Sequence, residues 1–402
     1  FFDPEFFFPV NRNEQETEIF RVGGRHSFSP QSDLLVSVIK GDFNENKRDL
    51  NSPLPPFGDL LISADARGRG VLSEAQHLFH SEHFHLMSGI GYFTGDDRTQ
   101  LVTDFPFPLD ALDSVTTIDE DIHHTNAYSY GLISCPNNFT WTLGLSADLF
   151  ETESINIDQL NPKIGVIWNP FANTTVRAAA FRTLNRTLLN ASTLEPTHVA
   201  GFNQFFNELS GTRAWRYGAA VDQKFSSSLF AGVEYSQRDI ETPFVLASTG
   251  DETVVDWKEM LVRSYLYWVP MDWLSFTVEY QFEQFTRGVS AGAENLWNLD
   301  THRIPIGVGF FHPSGFFGRL KTTYVNQSGE FPGTIQEPRV KGADQFWVLD
   351  GSIGYRLPDR WGILSLEGRN LLGEEFRFQD TDPANPSIFP ERSIVGRITF
   401  AF

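Results

Sequence analysis

Ser393-Ile394-Val395-Gly396-Arg397-Ile398-Thr399-Phe400-Ala401-Phe402 is the stretch that decides the fold. Its residues alternate. Ile394, Gly396, Ile398, Phe400 and Phe402 fall on one face of an extended strand, and Arg397, Thr399 and Ala401 on the other. Successive side chains of a strand point to opposite sides, so one side of this strand is apolar with an aromatic tip and the other is polar. A closed membrane barrel needs such a wall, with lipid outside and water inside. The plainer alternative is the edge strand of a soluble sheet, and the rest of the sequence decides between them.

Working outward, the same alternation recurs. In 274–283, Leu274, Phe276, Val278, Tyr280 and Phe282 oppose Ser275, Thr277, Glu279, Gln281 and Glu283. Two glutamates on the inner face of a soluble sandwich would be costly, whereas a wet lumen tolerates them. Phe139, Trp141, Leu143, Leu145, Ala147 and Leu149 oppose Thr140, Thr142, Gly144, Ser146 and Asp148. Segments 229–238, 316–324 and 347–356 repeat the pattern. The apolar rows are as long as the about 9–11 residues that a tilted strand needs to cross a bilayer.

Composition agrees. The 402 residues carry 38 Phe and a net charge of −20, so a role in binding nucleic acid is excluded by phosphate repulsion. No run of 18 apolar residues occurs, which rules out helical spans. The mean hydropathy of −0.25 does not argue against a barrel, whose two faces average out. The single cysteine, Cys135, excludes an internal disulfide and any Cys-based zinc or iron–sulfur site. No initiator Met or signal peptide begins the sequence, which reads as processed or truncated.

Turn chemistry supplies the connectivity. Short Pro/Asn/Asp/Gly/Ser clusters lie at Pro30–Asp33, near Ser81, and at Cys135–Asn138, Asn169–Asn173, Ser226–Ser228, Pro270–Asp272, His312–Gly315 and Pro358–Arg360. Long polar connections lie between them, near 44–72, 95–121, 186–212, 240–252, 287–297, 329–343 and 379–391. Short turns on one rim and long loops on the other distinguish the two sides of an outer-membrane barrel. Pairing strands across these turns gives about 17, in a range of 16–18. The expectation is an all-β, antiparallel transmembrane barrel over residues 17–402, with residues 1–16 as an irregular end of an extracellular loop. Single-chain bacterial barrels have even strand numbers. The odd count therefore points to a fragment from which N-terminal strands are missing.

Three further regions carry a family resemblance. Asn370-Leu371-Leu372-Gly373-Glu374-Glu375-Phe376, then Pro390-Glu391-Arg392, then Gly396-Arg397-Ile398 through Phe400 to Phe402, resemble the closing region of TonB-dependent receptors. Leu372-Gly373 stands where that family usually has Phe-Asp, and Phe376 where it has Tyr. Leu160-Asn161-Pro162-Lys163-Ile164-Gly165-Val166-Ile167-Trp168-Asn169-Pro170 and Thr175-Val176-Arg177-Ala178-Ala179-Ala180-Phe181-Arg182-Thr183 resemble the family's mid-barrel strands. The resemblance covers residues 17–402. It implies a receptor barrel for solute uptake across the outer membrane of a Gram-negative bacterium, of which this chain would be a fragment, since such receptors have 22-stranded barrels. It further implies contact with membrane lipid and lipopolysaccharide, assembly through the C-terminal strand by the barrel assembly machinery, and TonB acting through a plug-bearing N-terminal region not recognisable in this sequence. The rival readings are a plug-less porin-like or scaffold barrel, and a soluble all-β binding protein.

No catalytic motif of known spacing is present, and neither an enzyme activity nor a cofactor is expected. The acidic loop offers Asp96, Asp97, Asp119, Glu120 and Asp121 as weak oxygen ligands for Ca²⁺. Without EF-hand spacing, a solvated acidic loop is the expected reading. His77, His80, His83 and His85 surround one turn, while His123 and His124 begin a strand at the opposite rim, so one metal site is not expected. The charges on polar strand faces are Arg177, Glu234, Arg238, Glu279, Glu283, Arg319, Lys321, Arg356, Glu367, Arg369 and Arg397. Facing lipid, each Arg or Lys would cost about 2–4 kcal/mol at midplane, so the lumen is where they belong. There they would form a cross-strand ion-pair lattice, dock a plug or line a solute path.

Overall fold

The computed structural model describes residues 12–54, 58–186, 188–189, 192–204, 210–245, 252–287, 298–332, 339–379, 388–389 and 391–400. Among these, seventeen strands make one antiparallel sheet, the number the turn positions give. The first eight are β1 (Arg12–Ser29), β2 (Ser32–Leu54), β3 (Gly58–His80), β4 (Phe84–Asp104), β5 (Ser114–Ile133), β6 (Phe139–Glu151), β7 (Asn156–Phe171) and β8 (Thr174–Leu184). A separate two-stranded hairpin follows, β9 (His198–Val199) and β10 (Phe202–Asn203). The sheet then resumes with β11 (Arg213–Lys224), β12 (Leu229–Val245), β13 (Glu252–Met271), β14 (Leu274–Arg287), β15 (Asn298–Phe311), β16 (Phe316–Pro332), β17 (Arg339–Arg356), β18 (Gly362–Arg369) and β19 (Ser393–Phe400). Each sheet strand pairs with the next in sequence, and β8 pairs with β11 across the hairpin.

Burial is inverted relative to a soluble protein. On β6, Leu143, Leu145 and Leu149 are 47%, 49% and 54% exposed, while Thr142, Ser146 and Asp148 between them are 4%, 3% and 4% exposed. Ile164, Val233, Leu266, Val278, Leu320, Trp347 and Ile398 likewise face outward, and Asn161, Lys163, Arg216, Ser236 and Gln327 are buried inward. Exposed apolar rows outside a polar interior are stable only against lipid. A soluble binding protein would require those rows to meet in a dry core, and they do not. Aromatics gather at the short-turn rim: Phe139 stacks on Trp141 and Trp168, Trp268 on Phe276, and Phe316 lies against Tyr355. This is the girdle expected where a barrel meets the headgroup layer. No helix of the described residues is long and apolar enough to cross a membrane; strands do the crossing.

The short turns fall where the turn residues place them, but four long connections are shorter than expected. β12 and β13 run into 240–252, β16 and β17 run into 329–343, and 44–72 and 95–121 shorten most. β2 and β3, each of 23 residues, extend through most of 44–72. At about 3.3 Å per residue each spans about 75 Å, well beyond an apolar band roughly 25 Å tall. β4 and β5 absorb most of 95–121, leaving 105–113 as the connection. The sheet also begins earlier than residue 17: Arg12 pairs with Arg48 and Glu16 with Asn44. The first eleven residues of the segment expected to be irregular lie outside the described residues. Phe402 does too, whereas Phe400 pairs with Gly362.

Candidate functional site: a charged bore with a hairpin folded into it

The polar strand faces bring most of the expected charges into contact across strands. Arg177 on β8 lies 3.0 Å from Asp222 and 3.4 Å from Glu234. Arg238 meets Glu259 at 2.8 Å, and Arg263 meets Glu279 at 3.2 Å. Glu283 pairs with Arg303, and Lys321 with Asp350 at 3.2 Å. Glu367 has Arg369 at 3.8 Å and Arg397 at 3.9 Å. Arg319 stands opposite Ser352, and Arg356 lies beside the turn after β17. Tyr265 and Tyr267 stack at 4.7 Å and carry the network from Asp222 to Glu279.

Within the long connection 186–212, the described residues 192–204 fold inward, which the sequence did not disclose. Its hairpin turns at Ala200 and Gly201, with φ of 48° and 85°. A two-residue hairpin turn of type I′ requires such positive φ at both central residues. Val199, Ala200 and Phe202 join Tyr128, Tyr130, Ala179, Phe181 and Ala220 in one buried cluster, an apolar contact inside a polar bore. The arm above the tip is held by polar groups of the wall. Glu74 accepts from the Thr193 hydroxyl at 2.6 Å and from the Leu194 N–H at 3.0 Å. Gln76 donates to the Leu194 carbonyl at 2.5 Å. Glu195 accepts from Tyr130 at 2.6 Å and Asn126 at 3.2 Å, and pairs with Arg186 at 2.8 Å. Both members of that pair are only 3% exposed. Gln204 donates to Tyr130 at 3.1 Å, and Arg216 to the Asn203 carbonyl at 2.9 Å. Higher up, Leu188 and Leu189 pack against Ile39, Leu72 and Phe93, and a Cβ on Gly41 would stand 2.9 Å from a Leu189 methyl.

The two mid-barrel motifs, together with Gly218 on β11, build the seat for this hairpin. Asn161 donates to Asp148 at 2.6 Å, and Lys163 to the Arg182 carbonyl at 2.9 Å. A Cβ on Gly165 would stand 2.7 Å from the Ala200 Cβ, and one on Gly218 would stand 2.5 Å from the Phe202 ring. The Arg177 guanidinium lies 5.3 Å from the Phe202 ring centroid.

The C-terminal signature forms a second inward strap. Asn370, fully buried at φ 43°, ends β18. Its amide accepts from the Glu374 N–H at 3.0 Å and donates to the Glu374 carbonyl at 2.9 Å. Its own N–H donates to Asp350 at 3.0 Å. Leu371 fits against Gly351 and Gly368. Phe376 stacks on Phe346 at 4.0 Å, and Phe376, Phe378 and Ile388 bury Val325, Phe346 and Val348. Arg392 covers Gly373.

The weak metal candidates do not converge. Asp96 pairs in register with Asp121, Asp97 with Glu120 and Arg98 with Asp119. Alternation then puts Asp96, Asp119 and Asp121 on one face and Asp97 and Glu120 on the other. Arg69 takes Asp96 at 2.7 Å, and Arg98 takes Asp119 at 3.4 Å. Lost hydration, then the neighbouring Glu120 charge, raise the Asp97 carboxyl above its ordinary pKa of 3.8. Among the described residues no group of three His, Cys, Asp or Glu is arranged to hold a metal ion. The histidines separate as well: His77 meets Ser32 at 2.8 Å, His80 stacks with His85, and His124 is buried against Asp148 at 3.0 Å.

Comparison with known proteins agrees with this architecture. The chain is similar in fold to the copper transporter OprC (TM-score 0.68, 11% identity), over 96% of this chain and 65% of that one. It is also similar to the unliganded ferric citrate transporter FecA (0.66, 11%; 98% and 62%) and to the ferric yersiniabactin uptake receptor FyuA from Yersinia pestis (0.66, 10%; 96% and 60%). The chain thus spans less than two thirds of the length of these structures. No curated protein matches it. The family model described as "TonB dependent receptor-like, beta-barrel" matches residues 1–371, and the chain belongs to that family.

Proposed function

We propose that this chain forms the barrel wall of an outer-membrane receptor that takes up a scarce solute, with TonB supplying the energy through a region beyond the barrel. The carrying observation is the inverted burial: apolar rows turned outward around a bore lined with paired charges. The outer extensions of β2–β5, rich in carboxylates, stand where an incoming solute would be met first. The bore charges, Arg319 and Arg356 among them, would line its path. Metal complexes are the first solutes to test, since solved structures of similar fold carry ferric citrate, ferric yersiniabactin and copper in their names.

The test is uptake of radiolabelled ferric citrate, ferric yersiniabactin and copper(II) by Gram-negative cells with and without the chain. Accumulation of one probe that needs both the chain and the proton-motive force supports the reading. Accumulation that needs the chain but persists after the proton-motive force is collapsed favours the passive, porin-like alternative.

A further inference from the structure

We infer that the hairpin at 198–203, with the arm at 192–197, is a displaceable stopper that closes its side of the bore until it withdraws. This deepens the proposed uptake function and rests on it. Three observations carry it. First, the tip has a shaped seat. The wall has no side chain at Gly165 and Gly218, the two places that Ala200 and Phe202 occupy, and the loop's apolar surface is sealed against Phe181, Tyr128 and Tyr130.

Second, the seat lies deep. Gly201 reaches Arg177, the fourth residue of β8, next to the short-turn rim. Both ends of the loop, after Leu184 and before Arg213, lie at the far ends of their strands. The described residues 192–204 therefore lie down the bore rather than across its mouth. Third, the attachment is reversible in kind. Apart from its own two-residue hairpin, no described residue of 192–204 belongs to a strand. Its arm depends on the Arg186–Glu195 pair and on side-chain bonds to Glu74, Gln76, Asn126 and Tyr130. A buried ion pair is close to break-even against two hydrated charges, so withdrawal into a water-filled bore returns to each ion the hydration it had lost.

The test is planar-bilayer conductance of the full chain in a Cys135→Ser background, which removes the only native thiol. Glu195→Ala loosens the arm, and Gly218→Leu independently fills the seat of Phe202. Each should raise conductance several-fold, with folding checked by heat-modifiable gel migration. Gly165→Cys with Ala200→Cys should crosslink on oxidation. Added to Glu195→Ala, the crosslink should return conductance to the parent level, and reductant should restore the open current. Equal conductance of the parent, Glu195→Ala and Gly218→Leu overturns the proposal, as does equal conductance before and after a verified crosslink. Ferric or copper uptake that a verified crosslink leaves unchanged sinks the stopper and spares the uptake reading. Redox-switched conductance in a chain that supports no uptake of these probes sinks the uptake reading alone.

Discussion

Asn370 shows how one residue fixes a segment. It occupies a left-handed backbone position that few residues other than glycine tolerate, and its amide satisfies both backbone polar groups of Glu374. Replacing it with alanine strains the turn and strands two buried groups. Asn370→Ala should cost about 1–3 kcal/mol, read as a lowered denaturant midpoint in micelles, with new proteolysis within 371–379. Asp97 works in the opposite direction. It faces Glu120 across β4 and β5 on their outer extension. Its raised pKa means that the folded hairpin disfavours the ionised form. The penalty is absent below the ordinary value of 3.8 and complete once the pH exceeds the raised folded value. Protection factors at the tips of β4 and β5, which divide out the base-catalysed intrinsic exchange rate, should therefore fall as pH rises through that window. Asp97→Asn should abolish that fall and raise protection by about 0.2–1 kcal/mol, for relief of a like-charge cross-strand pair.

At the scale of elements, the two faces of a strand should respond oppositely to charge. Leu145 points to lipid on β6, so Leu145→Lys should cost about 2–4 kcal/mol near midplane. Ser352 points into the bore opposite Arg319, so Ser352→Glu should stay within about 0.5 kcal/mol of the parent. Equal penalties in a lipid refolding titration would contradict the assigned faces. This alternation is also what made the barrel legible in sequence. Within the lipid band, Leu143, Leu145 and Leu149 must be apolar while Thr142, Ser146 and Asp148 need not be, and the turns carry Pro, Asn and Ser for steric reasons. Beyond the band both faces are wet, the alternation lapses, and Asp96-Asp97-Arg98 reads as loop although it is paired strand. The inward hairpin was illegible for another reason. Val199-Ala200-Gly201-Phe202 is a short apolar turn in a polar connection, and its complement, Gly165 and Gly218, lies on two other strands. Only the fold brings these pieces together.

At the scale of the molecule, the charge bookkeeping and the surface point the same way. A net charge of −20 would keep a soluble protein dispersed, yet much of the charge here is consumed in cross-strand pairs within the bore or placed on the outer extensions. What the membrane band presents instead is a continuous belt of Leu, Ile, Val and aromatic side chains, far larger than the few hundred Å² of contiguous apolar surface that soluble monomers tolerate. Acidity therefore cannot substitute for lipid. The refolded chain should partition into the detergent-rich phase of a cloud-point separation and migrate faster unheated than boiled. It should lose monodispersity once detergent falls below its critical micelle concentration, at pH 7 and at low salt alike. High salt should not restore it, because salt screens charge but does not cover apolar area. A monodisperse, sheet-rich species persisting in detergent-free buffer would mean that the exposed rows had found partners within the chain, and the membrane assignment would fall with it.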